Sequence, residues 1–197
     1  MAVAGGAAYL GFVFYPPSPR AVTPRKAARL CAAVPSGVAR VGLFVDADDA
    51  MIEAVLALAP LDILQFHGSE PPERIGEARL RFGLPVMKAV AIAGPRDVLG
   101  AARYEDIADL LLFDAKPPRR PDALPGGNGL AFDWGLIADR SWRRPWMLSG
   151  GLTAEVLPEA IRISGATAVD VSSGVESRPG VKDPKKICAF LAAARAL

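Results

Sequence analysis

The sequence predicts an α/β fold, a parallel sheet organised as a (βα)8 barrel, on three observations. Apolar runs alternate with helical patterns along the whole chain, with short joints between them. Nearly all the apolar runs are uninterrupted, as in parallel strands covered on both faces. The strand-plus-helix unit recurs about every 25 residues, a length that suits a closed barrel.

Taken in order, "MAVAGGAA" (1–8) reads as the last turn or two of a helix with no strand before it. "YLGFVFY" (9–15) is a strand, rich in aromatic and β-branched residues. "TPRKAARLCAAV" (23–34) is a helix with Thr23 as N-cap and Pro24 at its first position. "ARVGLFV" (39–45) is a strand, and "DADDAMIEAVLALA" (46–59) a helix with acids in its first turn. "LDILQFHG" (61–68) is a strand, and "EPPERIGEARLRFG" (70–83) a helix closed by glycine. "PVMKAVAI" (85–92) and "GPRDVLGAARY" (94–104) make the next pair, and "ADLLLFDA" (108–115) the fifth strand. The long loop 116–131 leads to helices at 133–140 and 153–165, which flank a strand at 145–151. A strand at 167–174 and a helix at 183–196 end the chain. That is seven strands where a closed barrel needs eight. The expectation is therefore a single domain over 1–197, N-terminally truncated, with the first strand missing.

Composition narrows the function. The chain has 197 residues, 51% of them hydrophobic, and carries a net charge of +2 from 23 basic and 21 acidic side chains. So even a balance argues against a nucleic-acid or polybasic membrane partner. No window is long and apolar enough for a membrane span. The N-terminal apolar stretch lacks a basic segment ahead of it and a good cleavage site, so it does not read as a signal peptide. Two cysteines, Cys31 and Cys188, lie among apolar neighbours on helices and form neither a disulfide framework nor a metal site. A reducing cytoplasm fits that usage.

In a parallel barrel, reactive groups gather at the C-terminal ends of the strands. Those ends carry Arg20, Asp46, Gln65 and His67, Lys88, Asp114 and Lys116, Ser149 with Gly150 and Gly151, and Asp170 with Ser173 and Gly174. Glycines at two successive loops let backbone N–H groups approach a phosphate, although glycine is also an ordinary turn residue. The loop 116–131, with Gly126, Gly127 and Gly129, is either a lid that excludes water or a simple insertion. Asp114 closes the apolar stretch "LLLFDAK" and is either a general acid or the partner of Lys116 or Lys88. His67, the only histidine, is a site-lining or framework residue. Trp134 and Trp146 read as packing residues.

The segments "LGFVFYPPSPR" (10–20), "LQFHGSE" (64–70), "LLFDAKPP" (111–118), "PGGNGLAFDW" (125–134), "LSGGLTAEVL" (148–157) and "VDVSSGVESRPGVKD" (169–183) together resemble the phosphoribosylanthranilate isomerases, TIM barrels of tryptophan biosynthesis. The resemblance spans the chain. It implies an Amadori rearrangement of N-(5′-phosphoribosyl)anthranilate, with no metal or organic cofactor and a phosphorylated small molecule as the only ligand, in a monomer or homodimer. It implies Asp114 as general acid and Arg20 as clamp for the anthranilate carboxylate. Gly150, Gly151, Ser173 and Gly174 become the phosphate loops, and His67 and Asp170 lie near the substrate. The family's general base is a cysteine on a first strand of the form "KICG", which has no counterpart here, so the chain is expected to be inactive or nearly so. The rival readings are a phosphoribosyl isomerase of histidine biosynthesis and a non-catalytic barrel that binds a phosphorylated ligand.

Overall fold

Each apolar run is followed by a proline or a capping side chain that starts a helix, and this punctuation sets the architecture. The computed structural model describes residues 1–118, 124–138 and 140–196. Strands β1 (Tyr9–Val13), β2 (Ala39–Phe44), β3 (Ile63–Phe66), β4 (Val86–Ile92), β5 (Leu110–Ala115) and β6 (Trp146–Leu148) form one sheet in sequence order, every pair parallel. Helices α1 (Pro24–Cys31), α2 (Asp49–Leu56), α3 (Pro72–Phe82), α4 (Pro95–Ala101), α5 (Gly135–Ala138) and α6 (Leu157–Ser164) connect or follow them. A hairpin of β7 (Glu176–Arg178) and β8 (Val181–Lys182) precedes the last helix, α7 (Pro184–Arg195). Thr23 caps α1 by accepting from the Lys26 amide, Asp48 caps α2 from Met51, and Asp183 caps α7 from Lys185 and Lys186. Gly83 and Gly165 end α3 and α6 in the left-handed conformation.

The apolar runs conceal a period of two. Phe44, Leu64, Phe66, Leu111, Phe113 and Leu148 face the helices in the main core. Val41, Ile63, Met87, Ala89, Leu112 and Met147 pack together in a second cluster on the opposite face. Successive strand residues point to opposite faces, so the second face continues, strand by strand, into Gln65, His67, Asp114 and Ser149. Lys88 has the other parity and points toward the helices, where its Nζ meets Glu70 Oε2 at 2.7 Å and lies 5.6 Å from the Tyr104 ring centroid.

Several expectations need correction. Among the described residues the sheet has six strands rather than seven, because the segment expected as a strand at 167–174 meets β6 through an isolated Leu148–Val169 bridge. Leu148 N–H donates to Ala168 and Asp170 N–H to Leu148, and a bend at Ser172 followed by a 3-10 turn over Ser173–Val175 then breaks the ladder. Among the described residues, β1 pairs with β2 alone, so the sheet curls without closing into a ring. Residues 1–7 do close like the last turn of a helix: Gly5 N–H donates to the Met1 carbonyl, and Gly6 (φ 91°) and Ala7 N–H donate back to Val3 and Ala2 as in a glycine C-terminal cap. The helix expected from 133 begins at Gly135, whose amide donates to Asp133 Oδ1, and the one expected from 153 begins at Leu157, ahead of Pro158. The hairpin over 176–182 was not anticipated at all.

At the other end of the sheet, Glu105 staples the chain entering β6. Its carboxylate accepts from Arg140 Nη2 and the Arg143 amide, at 2.8 and 2.7 Å. Burial opposes its ionisation, but these two partners outweigh that and hold the carboxyl below the usual glutamate range. Clefts of about 540 and 420 Å³ also open at this N-terminal end of the strands, beside Arg40 and Asp62 and beside Tyr9 and Trp146. In the first cleft Arg40 and Asp62 are paired with each other, and the second is lined by Arg143 and Arg144. No helix among the described residues is long and apolar enough to cross a membrane.

Candidate active site

Asp114 is the penultimate residue of β5 and is 6% exposed. Its Oδ1 accepts from the Ala115 amide at 2.8 Å, and its Oδ2 lies 3.2 Å from His67 Nε2. Neither lysine considered as its partner reaches it: Lys116 Nζ is 2.9 Å from Asp97, and Lys88 is held by Glu70 and by the Gly68 carbonyl. The sheet parity explains Lys88, and the exit of the chain from β5 explains Lys116. His67 follows β3, and its Nδ1 lies 3.1 Å from Gln65 Nε2. Gln65 and Asp114 thus flank the two ring nitrogens of His67 and fix the orientation of the ring between them.

Asp170 stands one strand position beyond Val169, and Ser149 Oγ donates to its Oδ2 at 3.1 Å. Burial pushes its carboxyl above the usual range and the charge of Asp114 adds to this, while the Ser149 hydroxyl, His67 and Lys182 pull the other way. Two carboxylates and one imidazole thus share one face at the strand ends.

Arg20 projects from the turn after β1. Its Nε and Nη2 donate to Glu176 Oε1 and Oε2 at 2.9 and 2.8 Å, and Nη2 also donates to the Gly127 carbonyl at 3.2 Å. Glu176 further accepts from Lys182 Nζ at 3.0 Å. Burial opposes its ionisation, yet Arg20 and Lys182 hold it below the usual range. Glu176 and Lys182 escaped the sequence reading. Their signal is "ESRPGVK", a glycine turn that sets an acid and a base opposite each other, as Glu176 and Lys182 are in the β7–β8 ladder.

The glycine loops pack against this centre. Gly150 and Gly151 have φ of 87° and 65°, a conformation open to glycine and strained for other residues. A side chain at Gly150 would begin 3.1 Å from Asp114 Oδ1, so this loop abuts the carboxylate. A side chain at Gly174 would collide with the Leu152 carbonyl, so the loop carrying Ser173 and Gly174 lies against the one carrying Gly150 and Gly151. The long loop crosses the same ground. A Cβ at Gly126 would lie 2.7 Å from His67 Nε2 and 2.9 Å from Asp114 Oδ2, and one at Gly127 2.5 Å from Arg20 Nη1. Gly129 (φ 69°) lies farther out, its Cβ position 3.8 Å from Ser173 Oγ. Arg119–Ala123, also part of that loop, lie outside the described residues.

Cys31 is buried on α1, and burial raises its thiol pKa. The charges nearest it are Arg40 and Asp62, at the opposite end of the strands from Asp114. Cys188 is exposed on α7. Among the described residues no group of three or more His, Cys, Asp or Glu side chains is placed to hold a metal ion.

The family profile for N-(5′-phosphoribosyl)anthranilate (PRA) isomerase matches residues 1–193. The isomerase of that name from Rhodospirillum centenum is 61% identical over 196 residues, covering 100% of this chain and 92% of the relative. The crystal structure of phosphoribosyl anthranilate isomerase from Thermotoga maritima superposes with a TM-score of 0.88 at 40% identity, covering 100% of this chain and 92% of that one. A phosphoribosyl anthranilate isomerase crystallised with reduced 1-(o-carboxyphenylamino)-1-deoxyribulose 5-phosphate superposes with a TM-score of 0.83 at 37% identity, covering 100% of this chain and 91% of that one.

Proposed function

The chain belongs to the N-(5′-phosphoribosyl)anthranilate isomerase family, enzymes of tryptophan biosynthesis, and from that premise we propose that it works through Asp114 as general acid. The observation that carries this assignment is that Asp114 is buried at the end of β5 while both neighbouring lysines are engaged elsewhere, Lys116 with Asp97 and Lys88 with Glu70. In the reaction the amine nitrogen pushes open the ribose ring as Asp114 gives its proton to the departing ring oxygen, forming a Schiff base at C1′. A base then takes the C2′ proton, giving an enolamine. Tautomerisation returns a proton to C1′ and leaves a ketone at C2′. The ring opening needs an acid within hydrogen-bond reach, and the buried end of β5 supports that role.

The phosphate is proposed to sit between the loops of Gly150 and Gly151 and of Ser173 and Gly174. Their contact brings two sets of backbone amides together without side chains in the way. Arg20 is proposed to take the anthranilate carboxylate, and Asp170 to face the sugar hydroxyls beside Ser149. The long loop, lying on His67, Asp114 and Arg20, fits a water-excluding lid. A barrel that only bound a phosphorylated ligand would have no need of the His67–Asp114 contact.

Neither Cys31 nor Cys188 lies beside Asp114, so neither is proposed as the base. The test is loss of substrate fluorescence on freshly made N-(5′-phosphoribosyl)anthranilate, comparing this chain with its Asp114→Asn variant. Turnover by the parent that the substitution all but abolishes supports the scheme. Equal rates would remove Asp114 from the chemistry, and no turnover by either would defeat the isomerase reading.

A further inference from the structure

We infer that Glu176 is the positioning residue for Arg20, and that the Gly127 carbonyl holds the place of the substrate's aromatic carboxylate until the substrate arrives. The inference rests on the isomerase reading of Arg20. A guanidinium presents a rigid planar fork. Here the Nε edge is fully used, because Nε and Nη2 donate in parallel to the two oxygens of Glu176. What remains is the outer edge, one hydrogen of Nη2 and those of Nη1. That edge faces the lid: Gly127 accepts from Nη2, and the Cβ position of Gly127 falls beside Nη1. A carboxylate can bind this edge through two parallel bonds only by displacing the Gly127 carbonyl. Recognition of the carboxylate and the position of the lid are therefore one event.

Glu176 is itself held. Lys182 Nζ and the Gly180 amide donate to its carboxylate at 3.0 and 3.2 Å. Its backbone carbonyl accepts from Lys186 Nζ at 2.7 Å. The turn at Gly180 packs directly against the Pro19 carbonyl, so the β7–β8 hairpin and the turn bearing Arg20 are one unit. Arg20 and Lys182 outnumber Glu176 in charge, which leaves the group net positive and suited to an anion.

The test is calorimetric binding of two ligands, reduced 1-(o-carboxyphenylamino)-1-deoxyribulose 5-phosphate and its counterpart lacking the carboxyl group. The unaltered chain is expected to prefer the first. Glu176→Gln is expected to cut that preference by about tenfold, the size of one charge-assisted hydrogen bond, and to leave affinity for the counterpart unchanged. Glu176→Asp, which keeps the charge but withdraws the fork, serves as the second variant and is expected to move the same way. Preference retained in either variant overturns the inference. So does an equal loss for both ligands, which would mark a merely structural role. An unaltered chain that binds both ligands equally removes Arg20 from carboxylate recognition, and one that binds neither defeats the isomerase reading itself.

Discussion

Asp114→Asn is expected to lower turnover by about 10³-fold, within the span attributed to a positioned general acid. Ligand binding and folding are expected to survive. Asparagine has nearly the same volume, and its oxygen can still accept the Ala115 amide that Asp114 Oδ1 accepts at 2.8 Å. What it lacks is the proton to give to the ribose ring oxygen. The contact with His67 Nε2, 3.2 Å from Asp114 Oδ2, is open to the asparagine side chain as well. The decisive comparison is kcat against the affinity for the reduced product analogue. A variant that binds the analogue normally and turns over as fast as its parent would remove Asp114 from the chemistry.

The neighbouring residue should give the converse result. Phe113→Ala is expected to destabilise the fold by about 3–5 kcal/mol, the cost of truncating a fully buried aromatic ring. Phe113 is fully buried, and its ring centroid lies 4.6 Å from that of Trp142 and 5.5 Å from that of Trp146. Those two tryptophans belong to the segment entering and opening β6, so the cavity would loosen the pairing of β5 with the next strand. Urea unfolding followed by tryptophan fluorescence would read the loss as a lower midpoint at unchanged slope. A change below about 1 kcal/mol would mean that the pocket collapses around the alanine and that Phe113 does not anchor the strand. The two substitutions sit side by side on β5 and point to opposite faces, one holding the strand and the other reacting from it.

Much of that division was legible in the sequence. The strand ends could be read from the apolar runs and the glycine and proline joints, and the polar residues at those ends do gather on one face. Lys88 shows the limit. It ends up on the helix side because parity along β4 decides its direction, and an uninterrupted apolar run hides its parity. The β7–β8 hairpin was obscured for another reason. It lies between a glycine loop and a helix cap, and its short strands contain no apolar pattern for a period to act on. Glu176, the closest partner of Arg20, was lost with it. The contacts of Gly126 and Gly127 with His67, Asp114 and Arg20 join residues far apart in sequence, and no local signal encodes them.

The most direct test of the central claim is a crystal structure of this chain with reduced 1-(o-carboxyphenylamino)-1-deoxyribulose 5-phosphate. The account places the phosphate on the backbone amides of Gly151 and Gly174, the carboxylate on the outer edge of Arg20 in place of the Gly127 carbonyl, and the sugar against Asp114. A ligand bound with its phosphate elsewhere, or with Asp114 out of hydrogen-bond reach of the sugar, would contradict it.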